Sequence, residues 1–189
     1  MFESLWAHTR RMGGTVTRWF RKPILARDSR FDSCILRKCD KIQKMKNSNG
    51  ELLIGGAIVF KEGKGKILYL LSKNTDGEWE LLKTPVRRGE SSVRAVIRYT
   101  SEQGNMNARV LDEVGRAGGT GTINGKNVDY RYIYYLLFFK AGAEVMGIGD
   151  VSWHDYSACV KKLKLKREKD ILKEAQVMVK EWEKKRKKK

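Results

Sequence analysis

Short apolar runs, separated by turn-forming residues, recur between residues 31 and 140. Runs of this length with many β-branched and aromatic residues predict strands. The Gly55-Gly56 pair in one run suits a place where another backbone comes close. Asn124-Gly125 is the strongest hairpin signal, whereas Gly118–Thr122 is expected to form a flexible loop or bulge. The predicted strands are Phe31–Met45, Leu52–Phe60, Lys66–Ser72, Trp79–Leu82, Arg109–Val114 and Val128–Lys140.

Three further segments show the period of a helix. The first runs from Ser91 to about Gln103, and Ser91 or Ser92 can cap it. A short helix is expected over His154–Leu163, and another runs from about Arg167 into the C-terminal tail. The buried faces are expected to carry Val93, Val96, Ile97 and Thr100 in the first helix, and Ile171, Ala175, Met178 and Trp182 in the last. The order of elements predicts an α+β fold, with a mixed β-sheet flanked by helices.

Positive charge is concentrated at the two ends of the chain. The 189 residues have a formal net charge of +18. Residues 1–30 contain seven Lys and Arg against two acids, and residues 161–189 contain fourteen against five. Such ends favour a polyanionic partner, either nucleic acid or an anionic membrane surface. We therefore divide the chain into a basic aromatic N-terminal extension (1–30), a central domain (31–175) and a basic C-terminal helix or tail (176–189).

The cysteines and the apolar runs indicate the cellular compartment in which the protein is expected. Cys34, Cys39 and Cys159 form no zinc-binding pattern, and we expect reduced thiols in a cytoplasmic or organellar matrix protein. Residues 1–30 lack the apolar core of a secretory signal. They are compatible with an organellar transit peptide, a membrane-surface helix or an RNA-binding arm. No apolar run approaches the roughly 18 residues that a membrane span needs. RNA is the expected partner, and a membrane is not.

Two sets of residues are candidates for binding RNA. The first set is cationic and is expected to contact phosphates, with the last six residues solvated unless a polyanion holds them. The second set consists of three tyrosines that alternate along one strand, and these either stack on bases or pack beneath a helix. The cationic candidates are Arg10, Arg11, Arg18, Arg21, Lys22, Lys184, Lys185, Arg186, Lys187, Lys188 and Lys189; the tyrosines are Tyr130, Tyr132 and Tyr134.

The segment from Trp79 to Gly104 carries a recognisable motif. It contains Trp79, Pro85, the pair Gly89-Glu90, then Ala95-Val96-Ile97-Arg98 and, before Gly104, Glu102-Gln103. With Thr84 in the position of the first glycine, this pattern resembles the signature of the Nudix superfamily. The resemblance covers about residues 50–175. It implies a Nudix-like fold, with diadenosine-polyphosphate and RNA 5′-end hydrolases as the most similar members.

The same resemblance implies metal-dependent hydrolysis, and this sequence departs from the motif at residues that would hold the metal. Nudix hydrolases cleave a diphosphate linkage with water and Mg²⁺ or Mn²⁺, which carboxylates of the motif helix hold. Here Glu90, Arg98 and Glu102 are the remaining catalytic candidates, and Glu90 and Glu102 the candidate metal ligands. Tyr99 and Gln103 stand where further acids are expected. An ion pair between Arg98 and Glu90 would shape the turn.

These features leave two main functions open. One is a Nudix-like protein with a degraded metal site that binds RNA or nucleotides, within a ribosome or another ribonucleoprotein particle, and needs no cofactor. The other is an active Nudix pyrophosphohydrolase that uses Mg²⁺ or Mn²⁺ on nucleoside diphosphate derivatives or RNA 5′ ends. Peripheral membrane attachment through the tryptophan-rich N-terminal end is a third alternative. His154 is expected to be a surface or capping residue.

Overall fold

A computed structural model describes residues 51–63, 65–123, 126–142 and 148–188. These ranges contain seven strands, three helices and one π-helical turn, and they form an α+β structure. The predicted strand Phe31–Met45, the turn Asn124-Gly125 and the N-terminal extension lie outside the described residues. The strands are β1 Leu52–Gly63, β2 Lys66–Lys73, β3 Trp79–Glu80, β4 Leu82–Pro85, β5 Met106–Ile123, β6 Lys126–Gly142 and β7 Val151–Asp155. The helices are α1 Ser92–Arg98, α2 Tyr156–Lys162 and α3 Lys166–Lys187, and the π-helical turn is Tyr99–Gln103.

The strands form one mixed sheet in the order β3-β2-β1-β6-β5, with β4 also paired to β1 and β7 to β2. β1 and β6 run parallel, and the other pairs are antiparallel. β5 and β6 form a long hairpin that includes Gly118–Thr122, so the expected loop is a strand. The predicted strand Trp79–Leu82 is interrupted at Leu81, which lies between β3 and β4.

The two faces of the sheet bury two cores, because side chains alternate along each strand. On one face, Ile58 and Phe60 pack with α3 through Leu172 and Val179. On the other face, the odd-numbered neighbours Ala57 and Val59 pack with Val96 of α1. The sheet is therefore covered by α1 on one side and by α3 on the other.

The glycine pair of β1 allows this close packing. A Cβ atom on Gly55 would lie 2.7 Å from Cγ2 of Val96 and 3.0 Å from the carbonyl oxygen of Ser92. A Cβ atom on Gly56 would overlap the ring of Tyr134 on the opposite face. The prediction that another backbone approaches this pair is confirmed.

Helix α1 is rotated from its predicted orientation. The buried residues are Ser92, Ala95 and Val96, whereas the side chain of Ile97 is 44% exposed. Small residues face the sheet because the helix backbone lies almost against Gly55, which leaves little room for a large side chain there. The prediction that Ile97 is buried is wrong.

The last two helices differ from expectation at their boundaries. The segment Val151–Asp155, which includes His154, is a strand, and the side chain of Asp155 caps α2 by accepting a hydrogen bond from the backbone of Ala158. Helix α3 continues through the expected domain boundary at residue 175, and Val179 beyond it is 1% exposed. Residues 176–183 thus belong to the folded domain. No helix of the described residues is long and apolar enough to cross a membrane.

Candidate functional site

The motif forms a tight turn that leads into α1. The backbone amide of Glu90 donates to the carbonyl oxygen of Arg87 at 3.0 Å, and Gly89 closes the turn with a φ angle of 78°. A positive φ angle of this size costs a glycine little, because glycine has no Cβ atom. Ser91 then caps α1 by accepting from the backbone amide of Arg94.

The expected ion pair between Glu90 and Arg98 is present and has two hydrogen bonds. Nε of Arg98 lies 2.9 Å from Oε1 of Glu90, and a terminal nitrogen lies 3.1 Å from Oε2. The backbone amide of Arg87 also donates to Oε2, at 3.1 Å. The hydrogen bond from Arg98 is the main reason that the pKa of Glu90 is lowered. Both carboxylate oxygens therefore bind groups that hold the turn together.

Beyond Arg98 the helix widens into the π-helical turn. The amide of Gly104 donates to the carbonyl oxygen of Tyr99 at 3.1 Å, five residues back. The hydroxyl of Thr100 donates to the carbonyl oxygen of Val96 at 3.0 Å, and that of Ser101 donates to Ile97 at 2.8 Å. Hydroxyl groups that compete for helix carbonyls in this way distort a helix. The end of the motif is therefore remodelled rather than simply shortened.

The residues of this turn offer few carboxylates to a divalent metal ion. Tyr99 packs against the core that Val96 shares with the sheet, and Gln103 carries no charge. Glu102 is exposed, and Glu90 is engaged by Arg98. Within the described ranges, no three His, Cys, Asp or Glu residues are grouped so that they could hold a metal. Hard cations such as Mg²⁺ require oxygen ligands, and this surface supplies few.

The three candidate tyrosines lie inside the domain. Tyr130, Tyr132 and Tyr134 are 5%, 2% and 0% exposed. Their rings stack on one another with centroids 6.3 and 6.2 Å apart, in the same core as α3. Of the two roles that the sequence left open, the structure supports packing beneath a helix. The base-stacking prediction is wrong for the folded domain, since a nucleobase cannot reach these rings.

A buried group of charges was not predicted from the sequence. Lys83 of β4 forms an ion pair with Glu168 of α3, and both side chains are 1% exposed. Nζ of Lys83 also lies 3.5 Å from Glu80, and Glu168 accepts a hydrogen bond from the backbone amide of Leu81 at 3.3 Å. Burial is the main cause that raises the pKa of Glu80 to about 7. The signal in the sequence was a lysine in an apolar strand, but its acidic partner is 85 positions away.

The basic C-terminal candidates form the end of α3. Its last turn contains Lys184, Lys185, Arg186 and Lys187, all exposed, and Lys188 follows. Arg186 pairs with Glu62 of β1 at 2.6 Å, and its guanidinium lies 5.2 Å from the ring of Trp182. Cations are favourable at a helix C-terminus because of the helix dipole. Five N-terminal candidates and the last residue lie outside the described residues: Arg10, Arg11, Arg18, Arg21, Lys22 and Lys189.

His154 is partly buried in β7 and does not cap the following helix, whose N-cap is Asp155. Its ring meets that of Trp79 edge to face, with centroids 5.2 Å apart. Burial is the main cause that lowers the pKa of this imidazole. Lys162 of α2 also lies over the ring of Trp79, at 4.6 Å. These contacts connect β3, β7 and α2.

The solved structures with a similar fold include several Nudix proteins. The C. elegans Ap4A hydrolase superposes with a TM-score of 0.54 and 18% sequence identity, over 68% of this chain and 98% of that one. The MutT protein of Methanosarcina mazei gives 0.53 and 17%, over 71% and 99%. The Nudix domain of Shewanella oneidensis NrtR, solved with ADP ribose, gives 0.51 and 15%, over 68% and 88%. The sequence itself matches no protein-family model and no curated protein.

These likenesses establish the fold. The mixed sheet between α1 and α3 is the Nudix fold, as the resemblance of residues 50–175 implied. The superpositions span 98% of the C. elegans hydrolase and 99% of the M. mazei protein. Identities below 20% do not carry an activity over to this chain, and the resemblance to diadenosine-polyphosphate hydrolases stays a prediction.

Proposed function

We propose that this protein is a Nudix-like domain that binds RNA or nucleotides with little or no hydrolysis, as part of a ribonucleoprotein particle such as a ribosome. The observation that carries the proposal is the shortage of carboxylates on the motif helix. Tyr99 and Gln103 are uncharged at positions where the resemblance implies acids, which leaves Glu102 as the exposed carboxylate of the motif.

The metal chemistry of the family is poorly supported by this arrangement. Divalent cations act in such reactions by offsetting phosphate charge and activating water, and several carboxylates normally hold them. Tyr99 and Gln103 supply neither negative charge nor a convergent set of ligands. The same two positions would be carboxylates in the motif that this sequence resembles. Slow or absent turnover follows.

The charge of the chain supports a polyanionic partner. The sequence isoelectric point is about 9.9, and the exposed end of α3 concentrates cations at one place. Lysine and arginine side chains bind phosphates without reading the base sequence. A structured RNA therefore fits this chain, in the cytoplasm or an organellar matrix.

Turnover is tested directly on the full chain. Diadenosine tetraphosphate and 5′-triphosphorylated RNA are incubated with the protein and Mg²⁺ or Mn²⁺, and products are separated by chromatography. We expect no product above a protein-free control. Metal-dependent turnover that Glu102→Gln abolishes, and that the exposed control Glu181→Gln retains, would instead establish the hydrolase.

Association with RNA is tested in cells and with purified protein. We expect the protein to co-sediment with ribosomal particles in a sucrose gradient and to be released as salt is raised, because phosphate contacts weaken with ionic strength. Purified protein should bind a single-stranded RNA with the same salt dependence. Migration as free protein at low salt, together with no RNA binding, would contradict the proposal.

The hydrolase is a second candidate because one observation favours it. Glu90 and Arg98 occupy the positions that the motif specifies for them, and they form the ion pair that stabilises the turn. A substrate class of nucleoside diphosphate derivatives or RNA 5′ ends would suit the cationic surface. Weak metal binding would then depend on Glu102, so the Glu102→Gln experiment separates the two functions.

A further inference from the structure

The motif turn and helix α1 carry several exposed cations. Arg87, Arg88 and Arg94 are exposed, and none of them forms an ion pair with a carboxylate of the described residues. The first turn of α1 contains no acidic residue. Helices commonly place acids there, because the helix dipole favours them. This surface is therefore unusually free of negative charge.

The acids near these arginines offset only part of their charge, although Glu90 also interacts electrostatically with Arg87. Glu90 is paired with Arg98, so that pair contributes little net charge to the surface. Glu102 lies at the far end of the motif and adds to the causes that raise the pKa of Arg98. Three exposed guanidinium groups remain against one exposed carboxylate between residues 85 and 103.

The chemistry of this surface suits phosphates of RNA. A guanidinium group forms two parallel hydrogen bonds to a phosphate and carries its charge at every physiological pH. Binding to an anionic membrane would also need a broad apolar face on the helix. Ile97 is the exposed large apolar side chain of this seven-residue helix, and one side chain does not make such a face.

The turn is well separated from the basic end of α3. At one end of β1, the carbonyl oxygen of Leu53 accepts a hydrogen bond from Val86, next to the turn. At the other end, Glu62 pairs with Arg186. An extended strand rises about 3.3 Å per residue, which places the two surfaces roughly 30 Å apart.

We propose that Arg87, Arg88 and Arg94 form a second phosphate-binding surface for RNA, so that one RNA contacts the protein both there and at the end of α3. The proposal rests on the proposed RNA-binding function. It adds that phosphate is held directly by arginine side chains of the motif turn and of α1.

The test uses three matched triple variants of the full chain, each with three cations replaced by glutamine. The turn variant is Arg87→Gln, Arg88→Gln and Arg94→Gln, and the helix-end variant is Lys184→Gln, Lys185→Gln and Lys187→Gln. The control variant is Lys140→Gln, Lys161→Gln and Lys173→Gln, three exposed lysines elsewhere. Binding of a fluorescent single-stranded RNA is measured by anisotropy across a range of salt concentrations, and folding is verified by thermal melting.

The salt dependence reports the number of phosphate contacts that each variant loses. Each lost contact with single-stranded RNA flattens the plot of log K against log salt by about 0.7. We expect the turn variant and the helix-end variant each to reduce the slope by about 2. A chain with both sets of substitutions should lose the sum of the two reductions, since distant sites act independently. The control variant should change little. Replacing the three turn arginines by lysine should restore most of the slope.

Each other outcome overturns a specific statement. If the turn variant behaves like the control while the helix-end variant loses contacts, the second surface is wrong and RNA binding stands. If the helix-end variant behaves like the control, the two-contact arrangement is wrong. If the turn variant loses binding to phosphatidylserine vesicles but not to RNA, the surface binds membranes. If the unaltered protein binds no RNA, the proposed function fails together with this inference.

Discussion

At the scale of single residues, the most informative side chain is Lys83, because its charge is buried. It lies between Glu168 and Glu80, and it joins β4 to the first turn of α3. A buried charge is costly unless it is paired and hydrogen-bonded. Here the pairing links a strand to a helix far away in the sequence. Removal of one partner would leave the others uncompensated.

Glu80 makes the stability of the domain depend on pH. Burial raises its pKa from 4.5 to about 7, so the folded state favours the protonated acid. Its stabilising contribution is complete below pH 4.5, decreases as pH rises from 4.5 to about 7, and is constant above that. We expect the free energy of unfolding of the unaltered protein, minus that of Glu80→Gln, to decrease across this window in urea titrations.

The matched control for this prediction is Glu181→Gln, an exposed acid on α3. The free energy of unfolding of Glu181→Gln should change with pH in the same way as that of the unaltered protein. A difference between the unaltered protein and Glu80→Gln that does not change between pH 4.5 and 7 would show that Glu80 titrates as it does in the unfolded chain.

Gly56 offers a second test at this scale. A methyl group there would overlap the ring of Tyr134, which is fully buried. Overpacking of this kind costs about 1–3 kcal/mol, so we expect Gly56→Ala to lower the free energy of unfolding by that amount. Gly118→Ala is the control, because nothing lies within 4 Å of its added methyl group. Equal stabilities for the two variants would contradict the packing of β1 against β6.

At the scale of elements, α3 belongs to the domain rather than to a separate tail. Leu172, Ala175 and Val179 pack against the sheet, and Trp182 contacts Phe60 and Phe138 with ring centroids 5.5 and 4.8 Å apart. Beyond Glu183 the helix carries charged, exposed residues. The first part of this helix thus packs against the sheet, and its exposed basic end is suited to binding polyanions.

Two truncations distinguish these parts of α3. A chain that ends after residue 175 loses Val179 and Trp182 from the core, and we expect it to be unfolded or to melt far below the full chain. A chain that ends after residue 183 loses exposed residues, and we expect a melting temperature close to that of the full chain. Circular dichroism melting curves provide the comparison. Similar melting of both truncations would restore the domain boundary at residue 175.

At the scale of the whole molecule, a Nudix fold is combined with a motif of altered charge. The turn, the cap and the Glu90–Arg98 pair are retained. Tyr99 and Gln103 stand at two positions of the motif helix where the resemblance implies acids. The residues that hold the turn are thus present, whereas part of the implied set of metal ligands is not. This difference is the physical basis of the proposed function.

The same reasoning predicts that stability does not depend on divalent metal. A ligand that binds the folded state raises the melting temperature as its concentration increases. Because the motif supplies few free carboxylates, we expect millimolar Mg²⁺ or Mn²⁺, or a chelator, to leave the melting curve unchanged at constant ionic strength. A rise with Mn²⁺ that Glu102→Gln removes would demonstrate a functional metal site and contradict the degraded-site proposal.

The sequence by itself determined the elements that depend on local patterns and on the motif. These are the strands β1, β2 and β6, the amphipathic helix through Trp182, the cap at Ser91 and the Glu90–Arg98 pair, whose residues are close in the chain. Only the tertiary structure decided which face of α1 is buried, since that depends on the approach of its backbone to Gly55. It also decided that the alternating tyrosines are covered and that Lys83 meets Glu168. Packing between distant segments sets these features, and no local spacing encodes it.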